Sequence, residues 1–245
     1  MVADAIAVHR AETRFRTLTA GTDTWHSFSF GTHYDPGNVG FGPLLVHNDE
    51  RVQAGAGYPD HPHADAEIVT WVLEGSLVHS DSTGHRNVVV PGLVQRLSAG
   101  AGIVHAERND AFASDPAAPV VPVRFVQMWL RPDTPGTPPA YAARPVDLAD
   151  LASGWRPVTS GEDPAAPVPV AVRGATLWVT RLAPGVSRLL PAAPQTHLFV
   201  ATGAVEAEAA GRLEEGDALR LTGDAQLRLT GVRPAEVLVW TMMVP

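Results

Sequence analysis

At 245 residues, 45% of them hydrophobic, the chain has material for one large β domain or two smaller ones, each with its own core. Its formal charge is −8 and all 18 strongly basic residues are Arg, which argues against a broad phosphate-binding face, so no direct nucleic-acid partner is expected. The absence of cysteine excludes disulfides, thiolate nucleophiles and iron–sulfur clusters, and no apolar run is long enough to suggest a membrane partner.

The N-terminal stretch MVADAIAVHRAETR lacks a basic start followed by an apolar core. It does not read as a signal peptide, and a cytoplasmic protein is expected. Residues 6–18 mix charge with β-branched side chains, as an edge strand or arm does. From Trp25 to Phe30 the chain alternates Trp25/Ser27/Ser29 against His26/Phe28/Phe30, a half-buried strand pattern. Tyr34-Asp35-Pro36-Gly37-Asn38 is turn chemistry, and residues 43–48 form a further short strand.

The chemistry gathers between His61 and Glu107. In an extended strand successive side chains point to opposite faces, so His61 and His63 share a face, as do His105 and Glu107. Two such strands side by side bring three imidazoles and a carboxylate to one point, a set suited to divalent Fe, Ni, Mn, Co, Cu or Zn. Carried on from His61, the alternation adds Asp65, Glu67, Val69, Trp71 and Leu73 to that face, polar first and apolar deeper, like the inner face of a barrel with a polar mouth. Gly75 ends the strand and Asp81-Ser82-Thr83-Gly84 turns the chain. Strands over residues 87–90 and 94–97 follow, separated by Pro91-Gly92. Ala99-Gly100-Ala101-Gly102 then delivers residues 103–107 on a new strand.

Beyond Glu107, prolines at 116, 119 and 122 and again at 132, 135, 138 and 139 bracket a strand over residues 123–130. Residues 131–145 read as an extended crossing, and Asp147 as the cap of a short helix through Leu151. Residues 155–169 are turn-rich, with Ser160-Gly161-Glu162-Asp163-Pro164 an exposed loop, and strands resume over residues 175–182.

The second half repeats the plan of the first. Gly75-Ser76-Leu77-Val78 matches Gly203-Ala204-Val205-Glu206, Pro91-Gly92 matches Glu215-Gly216, and residues 125–130 match 237–242. The ligand offsets then place Leu189 and Pro191 where His61 and His63 stand, and Leu229 and Gly231 where His105 and Glu107 stand. The expected fold is therefore all-β, with two antiparallel β-barrel domains and few short helices. Residues 1–140 would carry the metal site, and residues 141–245 a degenerate one.

Gly55, five residues, His61-x-His63, three residues and Glu67, followed by Gly102-x-x-His105-x-x-x-Asn109, resembles the two motifs of the cupin superfamily. More narrowly, HPHADAEIVTWVLEGSLVHSDSTG followed by SAGAGIVHAE is similar to the pirin family in its bacterial quercetinase-like branch, as is the upstream WHSFSFGTHYDPGNVGFGPLLVHND. The resemblance implies a bicupin of two jelly-roll barrels in which His61, His63, His105 and Glu107 hold a single divalent metal, with Fe(II) the expected ion. Glu67, the acid many cupins use as a ligand, is expected here to hold a histidine in its tautomer.

The activity implied is metal-dependent ring opening of quercetin-like flavonols with O2, releasing carbon monoxide. Glu107 would leave the metal and take the proton of the flavonol 3-hydroxyl as catalytic base, while Trp71 and apolar neighbours stack on the rings. Resemblance to animal pirins implies the alternative, a non-enzymatic iron-binding regulator acting through a protein partner. A cavity of several hundred Å3 at the metal would favour the enzyme. The composition, rich in Ala, Arg, Gly and Pro, points to a bacterial source of high GC content. His9, His26, His33, His47 and His85 read as core or surface histidines, and His197 as packing or facing solvent. His79 and Asp81, at a Ser-Thr-Gly hairpin tip, read as turn residues.

Overall fold

The computed structural model describes residues 5–223 and 226–243. Among these, helix is confined to the four-residue segment Asp150–Ser153 and the 3-10 turns Ala11–Thr13 and Ala111–Ala113. No described helix is long and apolar enough to cross a membrane. The strands fall into two compact units, the first made of residues 15–145 and 170–172, the second of the described parts of 1–14, 146–169 and 173–245.

The first unit contains two sheets. The larger runs in the order Ala140–Pro145, Leu93–Ser98, Glu67–Glu74, Val123–Leu130, Leu44–Val52, Thr22–His26, Phe15–Leu18. The smaller runs Gly57–His63, Ile103–Arg108, Leu77–Asp81, Arg86–Val89. Val52, Val72, Val123 and Phe125 of the larger sheet pack with Leu77 and Val89 of the smaller in one buried cluster. The central strand Val123–Leu130 shows how sequence divides this space. Val123 and Phe125 are core, while Gln127 and Trp129, next on the same face, border a cavity. On the opposite face the buried Arg124 guanidinium donates to both carboxylate oxygens of Asp49, at 3.0 and 2.8 Å, so that neither charge is buried alone.

Several expectations need correction here. The strand expected to run on from His61 to Leu73 is broken: Asp65 has φ +49°, and Gly57–His63 and Glu67–Glu74 belong to different sheets. Trp71 is consequently fully buried away from the cavity. The crossing over residues 131–145 includes the strand Ala140–Pro145, paired with Leu93–Ser98, and the turn-rich stretch 155–169 includes the strand Arg156–Ser160. Ala140–Pro145 lies at the edge of its sheet, where a proline can be accommodated. Asp147 does not cap the helix; its side chain accepts the Ala149 N–H at 2.9 Å, closing a turn ahead of Asp150.

The anticipated boundary at residue 140 falls at the start of the Ala140–Pro145 strand, within the first unit, whereas Ala5–His9 pairs with Ala218–Thr222 in the second. The second unit has one nine-stranded sheet built on the long strands Gln195–Ala207 and Arg228–Met242. Leu198, Leu213, Leu219, Leu229 and Val237 lie in its buried cluster. There Arg188 stands opposite Leu229. A Cβ at Gly231 would lie 2.3 Å from the Ala183 carbonyl oxygen, so that position has no room for a ligand side chain.

Candidate metal centre

Strand pairing assembles the site. His61 sits directly opposite His105, and Glu107 opposite Tyr58, so that Pro59 and Asp60 on one strand face Ala106 alone on the other. That bulge brings Tyr58 onto the same side as His61, although the two are three apart in sequence. Pro59 and Pro62 are tolerated because Gly57–His63 is the edge strand of its sheet. Gly57, at φ +153°, permits the close approach: a Cβ there would lie 2.3 Å from the Glu107 carbonyl oxygen.

The ring centroids of His61, His63 and His105 lie 4.8, 4.4 and 4.9 Å apart pairwise. One donor atom from each falls within 4.8 Å of the others. His61 Nδ1 donates to the Pro59 carbonyl at 2.7 Å, which fixes its proton there and leaves Nε2 with a lone pair. His63 Nε2 and both ring nitrogens of the buried His105 make no hydrogen bond. Burial and the neighbouring imidazoles push His63 down to about 4 and His105 to about 3, so both rings are neutral at ordinary pH. Buried nitrogens without partners are costly unless something occupies their lone pairs, and neutral imidazoles are ready cation ligands. The donor set fits a divalent metal.

Glu107 stands beside this trio in a second grouping, with His105 and His79. Its Oε2 accepts from Gln127 Nε2 at 2.7 Å, and Gln127 Oε1 in turn accepts from Trp129 Nε1 at 3.0 Å. Oε1 has no partner. Burial, opposed by the Gln127 hydrogen bond, pushes the carboxyl up to about 7.

His79 is the residue that sequence reasoning set aside. It is fully buried, its ring 5.5 Å from that of His105 and stacked on Tyr141. Nε2 donates to Asp81 at 3.1 Å, leaving Nδ1 without a hydrogen bond. Asp81 does take the turn role expected, accepting from Thr83 N and Oγ1 and from His85 N. Burial pushes its carboxyl up, but hydrogen bonds from Thr83 and His79 outweigh this and hold it at about 2. The two-residue spacing of His79 and Asp81 was the available signal; pairing of Leu77–Asp81 with Ile103–Arg108, which sets His79 opposite Glu107, gives it meaning.

Glu67 holds no histidine. Its Oε2 accepts the Ala171 N–H at 3.0 Å and lies 3.9 Å from Arg96 Nε, because the break at Asp65 carries it into the larger sheet.

His61, His63 and Glu107 line a cavity of about 370 Å3, bordered also by Phe30, Tyr58 and Trp129. Trp129 meets His63 edge-on at 4.7 Å and Phe30 at 5.6 Å, and so takes the wall position expected of Trp71.

An all-β chain with His-x-His and His-x-Glu segments on neighbouring strands over a cavity has the plan of the cupin superfamily. Within it, this chain belongs to the pirin family: the Pirin family model matches residues 8–130. A Mycobacterium tuberculosis protein named as a putative quercetin 2,3-dioxygenase is 45% identical over 97% of this chain and 95% of its own length. The quercetin 2,3-dioxygenase of Escherichia coli is 39% identical over 58% of each chain. The crystal structure of the bacterial pirin YhhW from Escherichia coli in complex with nickel(II) matches with a TM-score of 0.86 at 28% identity, covering 98% of this chain and 100% of that one.

Proposed function

We propose that the chain is a metal-dependent dioxygenase of quercetin-like flavonols. The observation that carries this reading is the convergence of three imidazoles, two of which, His61 and His63, line a cavity of about 370 Å3, within the size range of small-molecule sites. A regulator would need no such cavity. The names borne by the mycobacterial and Escherichia coli relatives, and the nickel in YhhW, support it.

His61, His63 and His105 would hold the metal, with Fe(II) the ion expected from the family resemblance and Glu107 beside it. A divalent metal bound there supplies Lewis acidity that makes a flavonol 3-hydroxyl more acidic. Glu107 Oε1 takes the hydroxyl proton. Its value of about 7 matches a base acting near neutral pH, and a nearby cation pulls it lower, which keeps the acceptor ionised. Gln127 holds Oε2 and so aims Oε1. In this reading Glu107 works as a base at the flank of the trio; its grouping with His105 and His79, instead of with all three metal-binding imidazoles, favours that role. Trp129 and Phe30 present ring faces and edges to the flavonol and exclude water.

The experiment is anaerobic loading with Fe(II), Ni(II), Mn(II) and Cu(II) in turn, then addition of quercetin and O2 with an assay for carbon monoxide. Metal-dependent release of carbon monoxide is the expected result. Tight metal binding without turnover for any ion would overturn the enzymatic reading.

A further inference from the structure

The cavity has a second polar wall that neither metal binding nor proton removal uses. Thr24, Asn48, Glu50 and Tyr58 contribute to it from three strands, and Glu50 is only 4% exposed. Thr24 Oγ1 and Tyr58 Oη both donate to Glu50 Oε2, and Asn48 Nδ2 donates to Oε1 at 3.2 Å. Behind Asn48, His26 Nδ1 donates to Asn48 Oδ1 at 3.0 Å, and Thr17 Oγ1 donates to His26 Nε2 at 2.9 Å. Every link in this chain aims its donors towards Glu50.

A carboxylate has about four acceptor positions. Two are taken on Oε2 and one on Oε1, so the last belongs to Oε1 of a residue that lines the cavity. Burial pushes the Glu50 carboxyl up, while its three donors pull it back. A hydroxyl group suits either outcome, because it donates to a carboxylate and accepts from a carboxylic acid. A carbonyl or an ammonium group suits only one. The aromatic side chains Phe30 and Trp129 on the same cavity favour a hydroxyl carried by a flat ring over one carried by a sugar.

We propose that Glu50 is a second recognition point for the substrate, pairing with a phenolic hydroxyl on the part of the molecule that the metal donors do not hold. This rests on the flavonol reading above and narrows it to polyhydroxylated flavonols. A buried polar group placed to meet a ligand hydroxyl discriminates strongly against analogues that leave it unpaired.

The test is equilibrium binding to Fe(II)-loaded protein held without O2, so that no turnover intervenes. The probes are quercetin, galangin and 3-hydroxyflavone. All three keep the 3-hydroxyl and 4-carbonyl; 3-hydroxyflavone lacks every other hydroxyl, and galangin keeps only those on the fused ring. The wild-type protein is expected to bind quercetin roughly tenfold or more tighter than 3-hydroxyflavone. Galangin reports which ring meets Glu50. Glu50→Leu should bring the two affinities to within about twofold, whereas Glu50→Gln, which still pairs with a hydroxyl, should keep most of the preference. A preference retained in folded, metal-loaded Glu50→Leu overturns the assignment, as does its absence from the wild type. Should Glu50→Leu not fold, the smaller Glu50→Ala removes the same carboxyl, and an undiminished preference there overturns the assignment equally. If no flavonol binds wild-type protein that holds its metal, the flavonol reading itself fails and takes this one with it.

Discussion

A hydrogen bond to one ring nitrogen fixes the tautomer that leaves the other free to bind a metal, and His61, with Nδ1 held by the Pro59 carbonyl, is readied in this way. His105 belongs to both groupings of candidate donors and is buried, so His105→Ala should abolish stoichiometric metal, as elemental analysis of the purified variant will show. Glu107→Gln keeps the shape and the hydrogen-bonding capacity that Gln127 meets but removes the proton acceptor. It should retain metal and lose turnover by about 100-fold or more, and full activity would remove Glu107 from the mechanism. The same shifts predict how pH acts on the metal-free protein. His63 and His105, at about 4 and about 3 in the fold against an ordinary 6.5, take up protons only when the chain unfolds, so their contribution to stability is lost as pH falls below about 6.5. Glu107, raised from 4.5 to about 7, works the other way and costs stability as pH rises through that interval. Two imidazoles outweigh one carboxyl, so the Tm of metal-free protein should fall between about pH 6.5 and 5, with a shallower fall in His105→Asn. A flat profile in the wild type would contradict these assignments. The clustering of His61, His63 and His105 was legible because period-two spacing puts paired side chains on one face. His79, Glu50 and Tyr58 were not: each owes its place to which strand lies beside it, and a single stretch of sequence carries no such information.

At the scale of elements, strands bounded by proline were read well, and Val123–Leu130 matches the expected limits residue for residue. Strand edges were read poorly. Residues 131–145 were read as an extended crossing, yet residues 140–145 form a strand at a sheet edge. The expected continuous strand from His61 to Leu73 failed for a different reason. Alternation of polar and apolar residues persists across a break, so the pattern alone could not show that Asp65 adopts a positive φ and passes the chain from one sheet to the other. The bulge between His105 and Glu107 is equally invisible to a period-two rule, and it decides that Tyr58 shares a side with His61. Gly57 makes that bulge possible. Gly57→Ala would drive a methyl group into the backbone at Glu107 and Arg108, atoms that cannot move aside as a side-chain end can. It should destabilise the protein by about 1–3 kcal/mol and weaken metal binding, because it separates the two ligand-bearing strands. A melting curve and a metal titration on the same preparation check this. An unchanged metal affinity would show that the ligand geometry does not depend on this close approach.

At the scale of the molecule, the repeated plan was visible as matched Gly turns in the two halves, and the chemistry was visible in only one. Among the described residues, both groupings of candidate metal donors lie in the unit of residues 15–145. In the other unit Leu229, the position matched to His105, is fully buried in an apolar cluster. Gly231, matched to Glu107, abuts the Ala183 backbone. Apolar packing at these positions gives the second unit stability where the first spends its interior on polar groups. Leu229→Ala should therefore cost about 2–5 kcal/mol, the range for removing a buried leucine side chain into a cavity. All four residues of the candidate site, His61, His63, His105 and Glu107, belong to the first unit, so the folded fraction of this variant should still take up a single metal with wild-type affinity. Measuring metal content and the unfolding curve together separates the two effects. A variant that unfolds earlier yet loads fully would assign the second unit a packing role, whereas loss of metal from protein that remains folded would mean that the second unit sets the geometry of the first.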